Sequence, residues 1–329
     1  MKRILSGFFC VIFLACALSS CNSPMRDEKK FFAMGAFVSV TAYGGKIPEG
    51  FAATVTELES EISYKIDGSL IARANGGETV VLTEPLLEAI LLCGELTEKT
   101  HGAFDLTVKS VSELWNFDNA PTSPPDDIAL QAALTHVGWR DGVVLTENRL
   151  TLQNAELDLG AIGKGLACDY LIDKLGQNSL CGIVSVGGSI GVLAGEAKAS
   201  YRIGIRMPFS QNSNELLGVI DLNEGFVSTS GTYEKCFTYE DVKYHHILNA
   251  TTGKPENNGV VSVTVVAKTG VLSDALSTAA FLVGVEEGMR LCEEYGAKAI
   301  FVLENGSVTV SEGLRNSFLC YGENEVTYR

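Results

Sequence analysis

The chain has 329 residues, enough to bury one large core or two modest ones, and its apolar residues are spread along its whole length. Its formal net charge is −15, with 25 Lys+Arg against 40 Asp+Glu. That balance argues against nucleic-acid binding and against a polybasic membrane patch, and it means that an anionic ligand needs local help from a cation or from backbone N–H groups.

The N-terminus, MKRILSGFFCVIFLACALSSC, places Lys2 and Arg3 before an apolar run from Ile4 to Leu18 and then small residues. This is the grammar of a secretory signal, too short for a spanning helix. Its end, Leu18-Ser19-Ser20-Cys21, resembles a bacterial lipobox, which implies cleavage before Cys21 and lipidation of its thiol; cleavage elsewhere leaves Cys21 as a buried signal cysteine. Loss of Lys2 and Arg3 takes the formal charge to −17. The expected organisation is a signal at 1–20, a lipidated and polar tether at 21–30, and one catalytic domain at 31–329. Six cysteines remain after Cys21, none in a CxxC pair and most in apolar runs, which predicts buried free thiols over a zinc site and leaves room for a disulfide after export.

Residues 31–45 alternate as one strand ending at Gly44-Gly45. Phe51, Val55, Leu58 and Ile62 repeat at helical spacing, and a second helix is predicted from Glu84 to Thr100 with Thr83 as N-cap and Pro85 in its first turn. PTSPPDD (121–127) is a loop, followed by a short helix over Asp126 to Val137. Two strands joined at Glu147-Asn148 are expected between Gly142 and Leu159. Strands follow at Gly182–Ala194 (with a glycine turn), Tyr201–Met207, Leu217–Leu222, Lys243–Asn249 and Val260–Lys268. Helices are expected at Ser273–Gly284 and Val285–Tyr295, and closing strands at Ala297–Leu303 and Ser307–Ser311. Mixed order with several hairpins predicts an α+β fold, with mostly antiparallel sheets and packed helices.

Three stretches carry chemistry. LDLGAIGKGLACDY (157–170) reads as a strand (Ala155–Leu159), a glycine turn (Gly160–Gly165) and a helix stopped by Gly176. A helix N-terminus with Lys164 suits a phosphate, yet the spacing matches neither GxxxxGK[ST] nor GxGxxG, and an ordinary glycine turn with a solvated lysine fits equally. In the second, VVSVTVVAKTGVLSDALSTAAFLVG (260–284), Ser273 reads as an N-cap, and Asp274, Ser277 and Thr278 at i, i+3 and i+4 share one side of the first turn. This hard-oxygen set suits magnesium, or Asp274 is simply a first-turn anion on the helix dipole. The third stretch has a Ser/Thr/Gly turn at Ser228–Thr232, a hairpin through Glu240-Asp241, and His245-His246. Neighbours on a strand face opposite ways, so only one histidine can face a given site, as a general base or as a structural residue.

Taken together, MGAFVSV (34–40), GAFDLTV (102–108) with ELW (113–115), LDLGAIGKGLACD, VSVGGSIG (184–191), STSGTY (228–233), HILNATTGKP (246–255) and VSVTVVA with SDALSTA (261–279) resemble one family in colinear order over roughly residues 31–310. That family is the ApbE flavin transferases (FAD:protein FMN transferases). The resemblance implies binding of FAD and magnesium in a cleft between two subregions. It also implies transfer of FMN to a threonine hydroxyl of a membrane redox subunit, with release of AMP. By matching position, Asp274 and Thr278, with Ser277 beside them and the Ala161 backbone carbonyl, are the implied magnesium ligands. Met34, Tyr64, Ala103, Phe104, Asp105, Asp158, Lys164 and Leu248 are implied to line the FAD site, and His246 to act as base. The family often has an acidic residue at Ser277 and Gly-Gly-Asp at Gly187-Gly188-Ser189. The same residues would serve an FAD pyrophosphatase, with water replacing the threonine, and a non-catalytic FAD-binding lipoprotein is the third reading.

Overall fold

A computed structural model describes residues 24–329 except 211, 213 and 323. The signal and Cys21 lie outside the described residues. A nine-stranded sheet forms the frame: β1 Arg26–Ala33, β2 Ala36–Tyr43, β3 Cys181–Val186, β4 Ser189–Leu193, β5 Glu224–Gly231, β6 Val260–Ala267, β7 Lys298–Leu303, β8 Val308–Val310 and β9 Val326–Tyr328, which lie side by side in chain order. Every neighbouring pair is antiparallel except β8–β9. The helices are α1 Phe51–Ile62, α2 Leu70–Asn75, α3 Glu84–Lys99, α4 Lys109–Trp115, α5 Asp127–Leu134, α6 Trp139–Gly142, α7 Gly163–Gln177 and α8 Gly270–Glu294. The α+β class with mostly antiparallel sheets is as expected.

One face of the sheet is covered by α7 and α8, the other by a three-stranded sheet of Tyr201–Arg206, Leu216–Leu222 and Phe318–Cys320. Strand β6 is therefore buried at all eight positions. Its Val263 and Val265 join the helix-side core with Phe281 and Phe301, and its Val266 joins the opposite core with Ile300 and Val302. Each large side chain removed from water in this way contributes about 1.5–3 kcal/mol. A third cluster, Val111, Trp115 and Leu130 with Phe117, Phe237 and Tyr244, anchors a smaller region; Trp115 Nε1 donates to the Gly253 carbonyl at 2.7 Å.

Several sequence expectations are corrected. The strand expected over 31–45 is the β1–β2 hairpin, turned at Met34-Gly35, both in the left-handed region (φ 53° and 64°). Strand β1 begins at Arg26, so the end of the expected tether is sheet; Arg26, Glu28 and Lys30 lie on the exposed face of this edge strand, and Asp27 and Lys29 on its half-buried face. Residues 155–159 make only one bridge, Val108 to Glu156, and no strand. Gly176 lies inside the last turn of α7, and Ser228–Gly231 belongs to β5. The expected Lys243–Asn249 strand breaks after His245. The two C-terminal helices adjoin at a kink, with Gly284 (φ 79°) non-helical between them, and are numbered together as α8. The first of them starts at Gly270, earlier than expected, and is capped by Thr269, whose Oγ1 accepts from Leu272 N at 3.2 Å. Ser273 is thus one turn inside the helix, donating its hydroxyl to the Gly270 carbonyl. Among the described residues all six cysteines are free thiols, and Cys93, Cys168, Cys181 and Cys292 are buried.

Candidate active site

The site forms where α7 and α8 cross. Gly165 and Gly270 meet there: a Cβ built on Gly165 would lie 2.1 Å from the Gly270 carbonyl oxygen, and one on Gly270 would lie 2.1 Å from the Gly165 oxygen. Only residues without a side chain allow this approach.

Helix α7 has Ile162 at its N-cap position, which offers no capping atom. The cap comes instead from α8. Asp274 Oδ2 accepts from Gly165 N at 2.8 Å, Lys164 N is also directed at this carboxylate, and Oδ1 accepts from Ser189 Oγ at 3.1 Å. Gly163 N bonds the Leu159 carbonyl and Leu166 N the Ile162 carbonyl, so the Ala161 carbonyl precedes the helical ladder. Burial raises the Asp274 pKa, while the Lys164 charge and these donors oppose the rise. Lys164 and these donors already offset the Asp274 charge, so a further cation is held here only with additional oxygens or a bound anion beside it.

The hydroxyls around it are paired to one another. Ser230 Oγ bridges Ser277 Oγ (2.8 Å) and Thr278 Oγ1 (3.1 Å), and Ser277 Oγ donates to the Asp274 carbonyl at 2.9 Å. Ser277 is fully buried and Thr278 half-buried. Among the described residues no group of three His, Cys, Asp or Glu side chains gathers. The oxygens gathered at Asp274 are one carboxylate and the hydroxyls of Ser189, Ser230, Ser277 and Thr278, a hard set that fits a cation taking one or two carboxylates, and among the described residues no contact brings the Ala161 carbonyl into it.

The two histidines separate as their strand position requires. His245 is buried: Nε2 donates to the Glu256 carbonyl at 2.9 Å, Nδ1 accepts from Ile247 N at 3.3 Å, and the ring meets Phe281 edge-on. It is structural. His246 has a buried Nδ1 with no partner among the described residues. Its pKa is lowered to about 4, first by burial and then by the charges of Lys235 and Lys164, so the ring is neutral. Lys164 thus acts electrostatically on both His246 and Asp274.

Of the remaining predicted residues Met34 and Asp158 contact the glycine turn, and the others are held by contacts elsewhere. Met34 N donates to Glu59 Oε2 (2.9 Å), and its Cε lies 3.2 Å from a Cβ built on Gly163. Asp158 Oδ1 accepts from Gly160 N at 2.8 Å and shapes the turn. Tyr64 is half-buried under Lys109 Nζ, 5.4 Å from its ring centroid; burial, then the Asp158 charge, raises its hydroxyl pKa. The 103–108 strip ties the two sides together: Asp158 N donates to the Leu106 carbonyl at 2.8 Å and Ala250 N to the Ala103 carbonyl at 2.9 Å. Within that strip Phe104 is core, and the Asp105 carboxylate is taken by Thr107 N, Thr107 Oγ1 and Trp139 N. Leu248 pairs with Pro255 and packs beside Trp115.

Sequence reasoning missed Ser189, Ser230 and Asp169 as members of this arrangement. Each is joined to the site by a contact across 47 to 102 residues of chain, so no local spacing signals it.

The ApbE family model matches residues 34–301. A curated FAD:protein FMN transferase of Treponema pallidum is 30% identical, with 92% of each chain covered. A Klebsiella pneumoniae protein of the same name is 32% identical over 80% of this chain and 82% of its own. The crystal structure of an ApbE protein from Thermotoga maritima superposes with a TM-score of 0.78 at 30% identity, covering 88% of this chain and 98% of that one. The Vibrio cholerae flavin transferase ApbE superposes with a TM-score of 0.74 at 24% identity, covering 91% of this chain and 97% of that one, a likeness of fold.

Proposed function

This chain belongs to the ApbE family, and from that premise we propose that it is a magnesium-dependent FAD:protein FMN transferase. Its acceptor is a threonine hydroxyl on a flavin-accepting subunit of a membrane electron-transfer complex. The threonine oxygen attacks the FMN phosphorus of FAD, the bond from that phosphorus to the bridging oxygen breaks, and AMP leaves. The observation that carries this reading is the buried Asp274 carboxylate, held by Gly165 N beside Lys164 and set next to the hydroxyl row of Ser230, Ser277 and Thr278.

The neutral His246 ring takes the proton of the incoming hydroxyl. Lys164 sits beside the diphosphate and stabilises the charge that grows on it, in a chain whose overall acidity would otherwise repel the substrate. Magnesium, when bound, supplies charge neutralisation and orientation of the phosphates. The Asp274 carboxylate, the Thr278 hydroxyl and the Ala161 carbonyl would hold it, and Ser277 with Ser230 keeps the hydroxyl row in place. Met34, Tyr64, Ala103, Phe104, Asp105, Asp158 and Leu248 frame the flavin side. Lipidation at Cys21 would anchor the enzyme at the outer side of a bacterial membrane, within reach of a membrane-bound acceptor.

The test follows AMP from FAD with magnesium, with and without a candidate acceptor subunit. Acceptor-dependent AMP release supports the transferase. AMP at the same rate without acceptor points to an FAD pyrophosphatase, and FAD binding with no AMP points to a binding protein.

A further inference from the structure

The cap that α8 gives to α7 is returned. Asp169, on the second turn of α7, accepts at Oδ1 from Gly270 N (2.6 Å) and at Oδ2 from Val271 N (2.9 Å), the first two amides of α8. Each helix contributes one glycine to the crossing and, four residues later, one aspartate to its partner's N-terminus: Gly165 and Asp169 on α7, Gly270 and Asp274 on α8. A carboxylate four residues on lies one turn along the same face of its helix. The two helices are therefore clamped at both ends of one contact.

We infer that Asp169 is a positioning residue for the reacting site, acting through α8 on Asp274; this rests on the functional reading above. Both Asp169 carboxylate oxygens are taken by helix amides, so its effect on the site passes through α8. Asp169 fixes the amides of Gly270 and Val271, one turn before Asp274, and so sets where the Asp274 carboxylate meets Gly165 N, Lys164 N and Ser189 Oγ. Thr269, the local N-cap of the same helix, bonds Leu272 N and makes no contact with α7 in that role. It serves as the internal comparison. Losing the Thr269 cap loosens the end of α8 alone, whereas losing the Asp169 contact unlocks α8 from α7.

The experiment compares Asp169→Asn and Thr269→Ala in the otherwise intact protein by two readouts: amide hydrogen exchange at Gly165 and the magnesium concentration that half-saturates AMP release. Asn keeps the shape and one acceptor oxygen, so the variant folds, and its loss of one charged bond is the perturbation. Asp169→Asn is expected to speed exchange at Gly165, on the other helix, at least ten-fold and to raise half-saturating magnesium about ten-fold with a smaller change in kcat. Thr269→Ala should leave both near wild type. The inference is overturned if Asp169→Asn leaves Gly165 exchange and half-saturating magnesium at wild-type values, or if Thr269→Ala matches it in both. Wild-type turnover that ignores magnesium would instead overturn the functional reading, and Gly165 exchange alone would then decide the role of Asp169.

Discussion

Replacing Gly165 by alanine is expected to destabilise the protein by about 2–3 kcal/mol, although the same exchange in an open helix stabilises by about 0.5–1 kcal/mol. The new Cβ would lie 2.1 Å from the Gly270 carbonyl oxygen, 2.5 Å from the Gly270 carbonyl carbon and 2.8 Å from Asp274 Cβ. Two of these atoms are backbone, so no rotamer change relieves the clash. Restoring ordinary contact parts the helices by more than about 1 Å, in an interior packed as densely as an organic crystal. That movement pulls Asp274 Oδ2 off Gly165 N, now 2.8 Å away. Gly176→Ala, in the last turn of the same helix, is the control: its Cβ would meet only Leu193 Cδ2, at an ordinary 3.5 Å. Calorimetry should show Gly165→Ala melting roughly 5–10 °C below wild type and Gly176→Ala at or above it. A Gly165→Ala protein as stable as Gly176→Ala would refute the close-crossing account.

Asp274→Asn should abolish magnesium-dependent AMP release, and direct titration with magnesium should show weakened binding; unchanged turnover would remove Asp274 from the metal set. Ser189→Ala deletes the donor to a buried carboxylate and is expected to cost about 1.5–3 kcal/mol in urea denaturation; a neutral result would mean that the bond contributes nothing. His246 has a folded pKa of about 4, below its ordinary 6.5, so between these values the unfolded chain binds a proton that the fold excludes. Its contribution to stability is complete above pH 6.5 and lost as the pH falls toward 4, and buried His245, also lowered to about 4, acts in the same sense. The pH profile of kcat/KM, which reports the free enzyme, should therefore stay flat down to about pH 5. The profile of kcat should break at higher pH, because bound diphosphate offsets Lys164 and Lys235. Both profiles breaking at 6.5 would contradict a buried, lysine-flanked base.

What the sequence made legible is what local periodicity encodes. Phe51, Val55, Leu58 and Ile62 mark α1 at its observed bounds, and Glu240-Asp241 marks a hairpin whose two turn residues both adopt positive φ. The Met34-Gly35 turn was not legible, because methionine carries no preference for the left-handed conformation that the hairpin imposes. Nor was the true start of α8. Thr269 and Ser273 are both plausible caps, and the choice is made by Asp169, 101 residues away from Gly270. The spacing of Asp274, Ser277 and Thr278 fits a hard-oxygen ligand or a partner of the dipole of its own helix. Asp274 is an anion at a helix N-terminus, but that of α7 and not of its own helix.

The central claim is tested most directly by purifying a candidate acceptor subunit after incubation with this protein, FAD and magnesium, and locating the flavin by tandem mass spectrometry. The account predicts FMN on a threonine of the acceptor, one AMP released per flavin attached, and no labelling with Asp274→Asn. AMP accumulating with no flavin on the acceptor, or labelling that persists in Asp274→Asn, would contradict it.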